Sequence, residues 1–183
     1  MKRIREMVVP ALALMLIAGA ITAALAGTNA LTENIIAAQS DRAADEARRE
    51  VINADEFRAQ TVALDGTEIT YYEAIAGGAV AGYVFTAESV GKSSGLTVMT
   101  GISKEGTITG VKVTEQNETA GYVEKVQKAG FLQAFTGKEA REIKLNEQVD
   151  AVSQATKTST GICKAVNKAI AAYRAVKEGA TVE

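Results

Sequence analysis

One stretch of this sequence gathers side chains able to do chemistry: Asp150-Ala151-Val152-Ser153-Gln154-Ala155-Thr156-Lys157-Thr158-Ser159-Thr160-Gly161. Ser153, Thr156, Thr158, Ser159 and Thr160 place five hydroxyls within eight residues, directly before a segment with helical periodicity. The start of a helix has backbone N–H groups with no partner inside the helix, and its dipole favours negative charge. Such a place receives an anion, phosphate included. Two readings follow from the residues alone. In one, Thr158, Ser159 or Thr160 is an ordinary N-cap and the other hydroxyls face solvent; in the other, the surplus hydroxyls serve a bound anion.

Composition narrows the chemistry further. The chain has 183 residues, a formal net charge of −2, no histidine and one cysteine, Cys163. The commonest general base and metal ligand is therefore missing. A lone cysteine supports no intrachain disulfide, thiolate zinc site or cysteine-ligated cluster. Any redox chemistry has to come from an organic cofactor. Lysines and arginines form no extended patch, so the phosphate neutralisation that nucleic-acid binding relies on has no basis here. Cys163 reads as a small buried side chain one turn into the last helix.

The elements that must position the hydroxyl segment can be read from periodicity. Apolar residues at Ile162, Val166, Ile170, Tyr173 and Val176 mark an amphipathic helix over 162–177, ending before Gly179. Upstream, Thr61–Leu64 and Glu68–Glu73 flank an Asp65-Gly66 turn and form an expected hairpin. Gly82–Ala87, Leu96–Ile102 and Thr107–Thr114 are expected strands, with Gly110 marking a bulge. Tyr122–Ala129 reads as a short helix, followed by the core anchors Phe131, Leu132 and Phe135. Strands and helices mix without a βαβ rhythm, so the expected class is α+β, a mixed antiparallel sheet with helices.

No charged residue lies between Glu6 and Glu33, and the run from Met7 to Ala26 is almost wholly apolar. A bilayer-spanning helix needs about 20 such residues. Lys2, Arg3 and Arg5 precede the run, so the positive-inside rule assigns residues 1–6 to the cytoplasm. A transmembrane helix is expected over 7–30, with everything beyond it extracytoplasmic. A signal peptide cleaved after Ala24-Leu25-Ala26 is the alternative; the length of the run favours the anchor. A polar juxtamembrane helix over 31–56 follows, with Thr32 placed to cap it and a solvated charged face. At about 1.5 Å per residue its helical stretch, Thr32 to Asn53, would lift the rest of the chain about 30 Å from the membrane. Residues 57–183 form the domain.

Asp150-x-x-Ser153-x-Ala155-Thr156 resembles the flavinylation motif D-x-x-(S/T)-G-A-T of the FMN-binding domain family shared by the RnfG and NqrC electron-transport subunits. Asn117-Glu118-Thr119-Ala120-Gly121-Tyr122 is similar to the family's E-T-P-G-L-G loop beside the flavin, and the Gly101–Val111 run is also typical. The resemblance extends over nearly the whole chain. It implies FMN held as a phosphoester on Thr156, installed by a flavin transferase. It also implies cofactor contacts at Asp150, Ser153, Ala155, Thr158, Glu118, Thr119, Ala120 and Gly121. The implied role is an electron-relaying subunit among the other subunits of an Rnf-type ferredoxin:NAD⁺ oxidoreductase in the cell membrane. An NqrC-like subunit, or a tethered non-redox scaffold with a decayed flavin site, are the alternatives. Three positions depart from the motifs: Gln154 and Val123 stand where glycine is usual, and Ala120 where proline is. A left-handed backbone at 154 would penalise glutamine.

Overall fold

The computed structural model describes residues 14–25, 27, 42–64, 66–92, 95–116 and 121–179. The chain divides into two compact units, Met1–Ala44 and Asp45–Glu183. In the first, residues 14–25 are helical, with Leu14, Met15, Leu16, Ile17, Ile21 and Leu25 exposed. Among the described residues no helix is long and apolar enough to cross a membrane. Residues 7–13, 26 and 28–30 of the 7–30 span expected from the sequence lie outside the described residues.

The second unit is built on an antiparallel meander. Strands β1 (Glu56–Leu64), β2 (Thr67–Ala76), β3 (Ala79–Val90), β4 (Gly95–Ser103) and β5 (Ile108–Gln116) pair in sequence order. All five expected strands are present, each longer than its apolar run suggested. β1 and β2 pair in register up to the expected turn, with Leu64 opposite Thr67. The expected bulge falls beside Gly110. Gly101 pairs with Gly110 but Ile102 pairs with Ile108, leaving Thr109 as the extra residue.

One face of the sheet carries the main core. Helix α2 (Tyr122–Lys128) and helix α3 (Thr156–Lys177) cover it. Ile162, Val166, Ile170 and Tyr173 all turn inward, as their spacing requires, onto Phe85, Leu96, Val98 and Ile102. Phe131 and Phe135 pack edge to face with centroids 5.2 Å apart.

The opposite face is covered by the end of helix α1 (residues 42–51). Here the structure corrects the expected stand-off helix, because from Asp45 on it is part of the domain. Ala47, Val51 and Ile52 are buried against Ala74, Val84 and Met99. Burying a valine or isoleucine contributes about 1.5–3 kcal/mol, so the contact is not incidental. Three glycines open the space. A Cβ on Gly101 would lie 2.4 Å from the Val51 carbonyl oxygen, one on Gly110 2.8 Å from Val51 Cα, and one on Gly82 2.6 Å from Ile52 Cδ1. The bulged Thr109 donates its hydroxyl to the Val51 carbonyl at 2.6 Å, satisfying a helix-end acceptor. Lys112 pairs with Glu50 at 2.6 Å. Arg48 is not part of a solvated face: its guanidinium lies 3.5 Å from the centroid of the Tyr72 ring.

Candidate flavin-attachment site

The hydroxyl-rich segment is shaped from both sides. Upstream, Asn167 in the middle of α3 accepts from the Ile143 N–H at 2.8 Å and donates to the Ile143 carbonyl at 2.8 Å. Cys163 adds an Sγ contact to the same carbonyl at 3.3 Å. The cysteine is buried, in the second turn of α3, and burial pushes its thiol pKa up. The backbone then turns through Asn146, whose φ is 63° and whose Oδ1 accepts from the Ala151 N–H.

Helix α3 begins six residues before the apolar pattern does, at Thr156. The N-cap residue is Ala155, and no side chain caps it. The capping role expected of Thr158, Ser159 or Thr160 is therefore not taken, because all three lie inside the helix. Ser159 does something that spacing did not suggest. Fully buried, it accepts from the Val152 N–H at 3.1 Å and donates to the Ala155 carbonyl at 3.1 Å. It clamps the loop against the first turn and so fixes the direction in which Thr156 leaves it. Thr160 returns its hydroxyl to the Thr156 carbonyl at 2.8 Å. Thr158 is fully buried, and its hydroxyl has no partner among the described residues.

What remains at the surface is Asp150, Ser153, Gln154, Thr156 and Lys157, all exposed, while Ala155 is buried. The Thr156 side chain makes no hydrogen bond among the described residues, and the first turn carries no acidic residue. An exposed, unengaged hydroxyl beside uncapped helix N–H groups fits a phosphoester. Its negative charge would meet donors, not carboxylates.

Gln154 has φ 63°, the left-handed region in which the motif's usual glycine is at ease. Its Oε1 accepts from Lys125 Nζ at 2.8 Å, tying the loop to α2. Gly121 precedes α2 with φ 90°. Lys92, next to the β3–β4 turn, donates to the Tyr122 hydroxyl and lies 4.0 Å from its ring centroid. That hydrogen bond and charge hold the Tyr122 pKa below the usual phenol range. Thus the β3–β4 turn, the start of α2 and the Thr156 loop converge. Glu118, Thr119 and Ala120, expected at the same place, lie outside the described residues. Gly161 sets how near the helix comes: a Cβ there would lie 2.8 Å from the Val90 carbonyl oxygen. Alongside, a groove of about 560 Å³ runs between β3–β4 and α3, bordered by Val90, Leu96, Lys164 and Lys168.

Comparison with known proteins bears on the domain and the fold. Residues 91–171 match the family described as FMN-binding domain, and residues 1–51 match the RnfG N-terminal region. The chain is 29% identical over 186 residues to the G subunit of the Na(+)-translocating ferredoxin:NAD(+) oxidoreductase complex of Acetobacterium woodii, covering 89% of each. The crystal structure of NqrC from Shewanella oneidensis shares the fold, with a TM-score of 0.53 and 21% identity over 70% of each chain. A match to an RnfG N-terminal region followed by one to an FMN-binding domain, in a chain similar along most of its length to the Acetobacterium protein, makes this protein similar to FMN-binding subunits of the RnfG type.

Proposed function

We propose that the chain is the electron-transfer subunit of a membrane-bound, ion-translocating ferredoxin:NAD⁺ oxidoreductase of the Rnf type, with FMN esterified through its phosphate to Thr156. The observation that carries the attachment is the exposed Thr156 hydroxyl at an uncapped helix start, within the region matching an FMN-binding domain. FMN supplies one- and two-electron redox chemistry, and a phosphate linkage leaves its ring system free. Ser159 holds the loop, the first turn of α3 offers donors to the phosphodiester, and Asp150 and Ser153 are exposed in the same loop; Gly121 is proposed as a further cofactor contact. The groove beside Val90 starts near Gly161, five residues from Thr156 or about 7.5 Å along the helix. That is within reach of a ribityl chain.

The apolar run over 7–30 is the proposed single-pass anchor, with the domain on the extracytoplasmic side. Other subunits of the Rnf-type complex are the proposed partners, and a flavin transferase installs the cofactor. The RnfG N-terminal match over 1–51 favours this assignment over an NqrC-like one.

The test is co-expression with a flavin transferase, followed by a denaturing gel viewed for flavin fluorescence and by intact mass. A fluorescent band with one added FMN, lost in Thr156→Val while the fold is kept, is the expected result. A dark band of unmodified mass overturns the covalent reading and leaves a tethered scaffold. Fluorescence that survives Thr156→Val moves the link to another hydroxyl.

A further inference from the structure

We propose that Lys125 is the counter-charge to the phosphodiester on Thr156, positioned for that role by Gln154. The proposal rests on the attachment reading above. Helix α2 is anchored by its buried Val123 and Val126, so Lys125 projects from a fixed base. Its Nζ lies 2.8 Å from Gln154 Oε1, and it forms no ion pair among the described residues. A cation has thus been brought to a neutral amide, two residues before the attachment hydroxyl. Charged acceptors bind an ammonium more strongly than neutral ones do. A phosphodiester at Thr156 is therefore the better partner for Lys125.

Gln154 adds a second element. A glutamine amide accepts through Oε1 and donates through Nε2 at once, so it can hold Lys125 with one end and offer a donor to a phosphate oxygen with the other. Glycine would suit the backbone of φ 63° better but has no side chain to do this. On this view Gln154 is a working substitution in the motif, not a lesion in it.

The experiment uses the full-length chain with a flavin transferase, in Lys125→Gln, Lys125→Glu and Lys125→Arg variants, with Lys128→Gln on the same helix as control. Two quantities are read: the initial rate of FMN addition by intact mass, and the ³¹P chemical shift of the attached phosphodiester. Lys125→Gln is expected to slow addition about threefold to fivefold, the range of an exposed ion pair. Lys125→Glu slows it about tenfold and Lys125→Arg stays near wild type, with the effect shrinking at high salt. The ³¹P signal moves in Lys125→Gln and not in Lys128→Gln. Unchanged rates and an unmoved ³¹P signal overturn the proposal. A slowed rate with an unmoved ³¹P signal also overturns it, because Lys125 would then serve transferase recognition alone. If the wild-type chain takes up no FMN, or Thr156→Val still does, the attachment reading itself fails, whatever Lys125 does.

Discussion

At the scale of single residues, Gln154 and Cys163 are governed by opposite constraints. Gln154 is exposed but held in a backbone region that disfavours side chains, by about 1–2 kcal/mol. Against this stand one exposed hydrogen bond to Lys125 and the lower unfolded-state entropy of a non-glycine residue. Gln154→Gly is therefore expected to stabilise the flavin-free chain by about 0.5–1 kcal/mol, read as a higher urea midpoint at unchanged slope. Cys163 is buried with a raised thiol pKa. The folded state keeps the proton longer than the unfolded one, so the thiol's contribution is intact at neutral pH. It is lost as pH climbs beyond about 8.5, where an unfolded thiol ionises. Cys163→Ala should flatten the stability profile between about pH 8.5 and 10, measured by urea titrations across that range. Above it Tyr71, Tyr83 and Tyr173, also raised by burial, bring their own decline. At this scale the sequence was readable wherever chemistry is local. Thr156, Asp150 and Ser153 are exposed, and the conditional penalty at 154 meets a φ of 63°. Ser159 was not readable, because its work is a hydrogen bond to Val152 across a loop whose turn no periodicity encodes.

Among the elements, α3 shows how composition can hide a helix start. Apart from Lys157, Thr156 to Gly161 carries hydroxyl residues and a glycine, weak helix formers with no apolar side chain among them, so the apolar pattern alone begins at Ile162. The segment is helical because Ser159 and the close approach at Gly161 hold it there. This makes Gly161 a decisive test. In an open helix, alanine for glycine gains about 1 kcal/mol of propensity. Here the new Cβ would meet the Val90 carbonyl oxygen at 2.8 Å and Gly91 Cα at 3.0 Å, backbone atoms that give way only if the helix moves. Gly161→Ala is expected to destabilise by about 1–3 kcal/mol despite its better propensity, read from urea or thermal unfolding. The strands were easier. Asp65-Gly66 and β-forming residues such as Val84, Phe85 and Thr86 mark them directly, whereas the mostly small residues Ala79 to Ala81 concealed the start of β3.

For the whole molecule, the least readable feature was the docking of α1. Its sequence is mostly charged, and the surface that receives it is assembled from glycines on β3, β4 and β5, each on a different strand. No single segment announces that arrangement. It leads to a clear difference between truncations. A chain beginning at Asp45 keeps Ala47, Val51 and Ile52 and should melt with the full domain. One beginning at Phe57 leaves Ala74, Val84 and Met99 uncovered and should lose several kcal/mol, at about 1.5–3 kcal/mol per large side chain. Thermal unfolding of the two fragments checks this.

The glycine-lined seat beneath Val51 also has a mechanical consequence. Because residues 45–51 belong mechanically to the domain, they act as a short lever arm fixed to the sheet, with no swivel where the helix meets β1. Bending that arm away from the sheet would first break the Thr109–Val51 hydrogen bond and the Lys112–Glu50 ion pair.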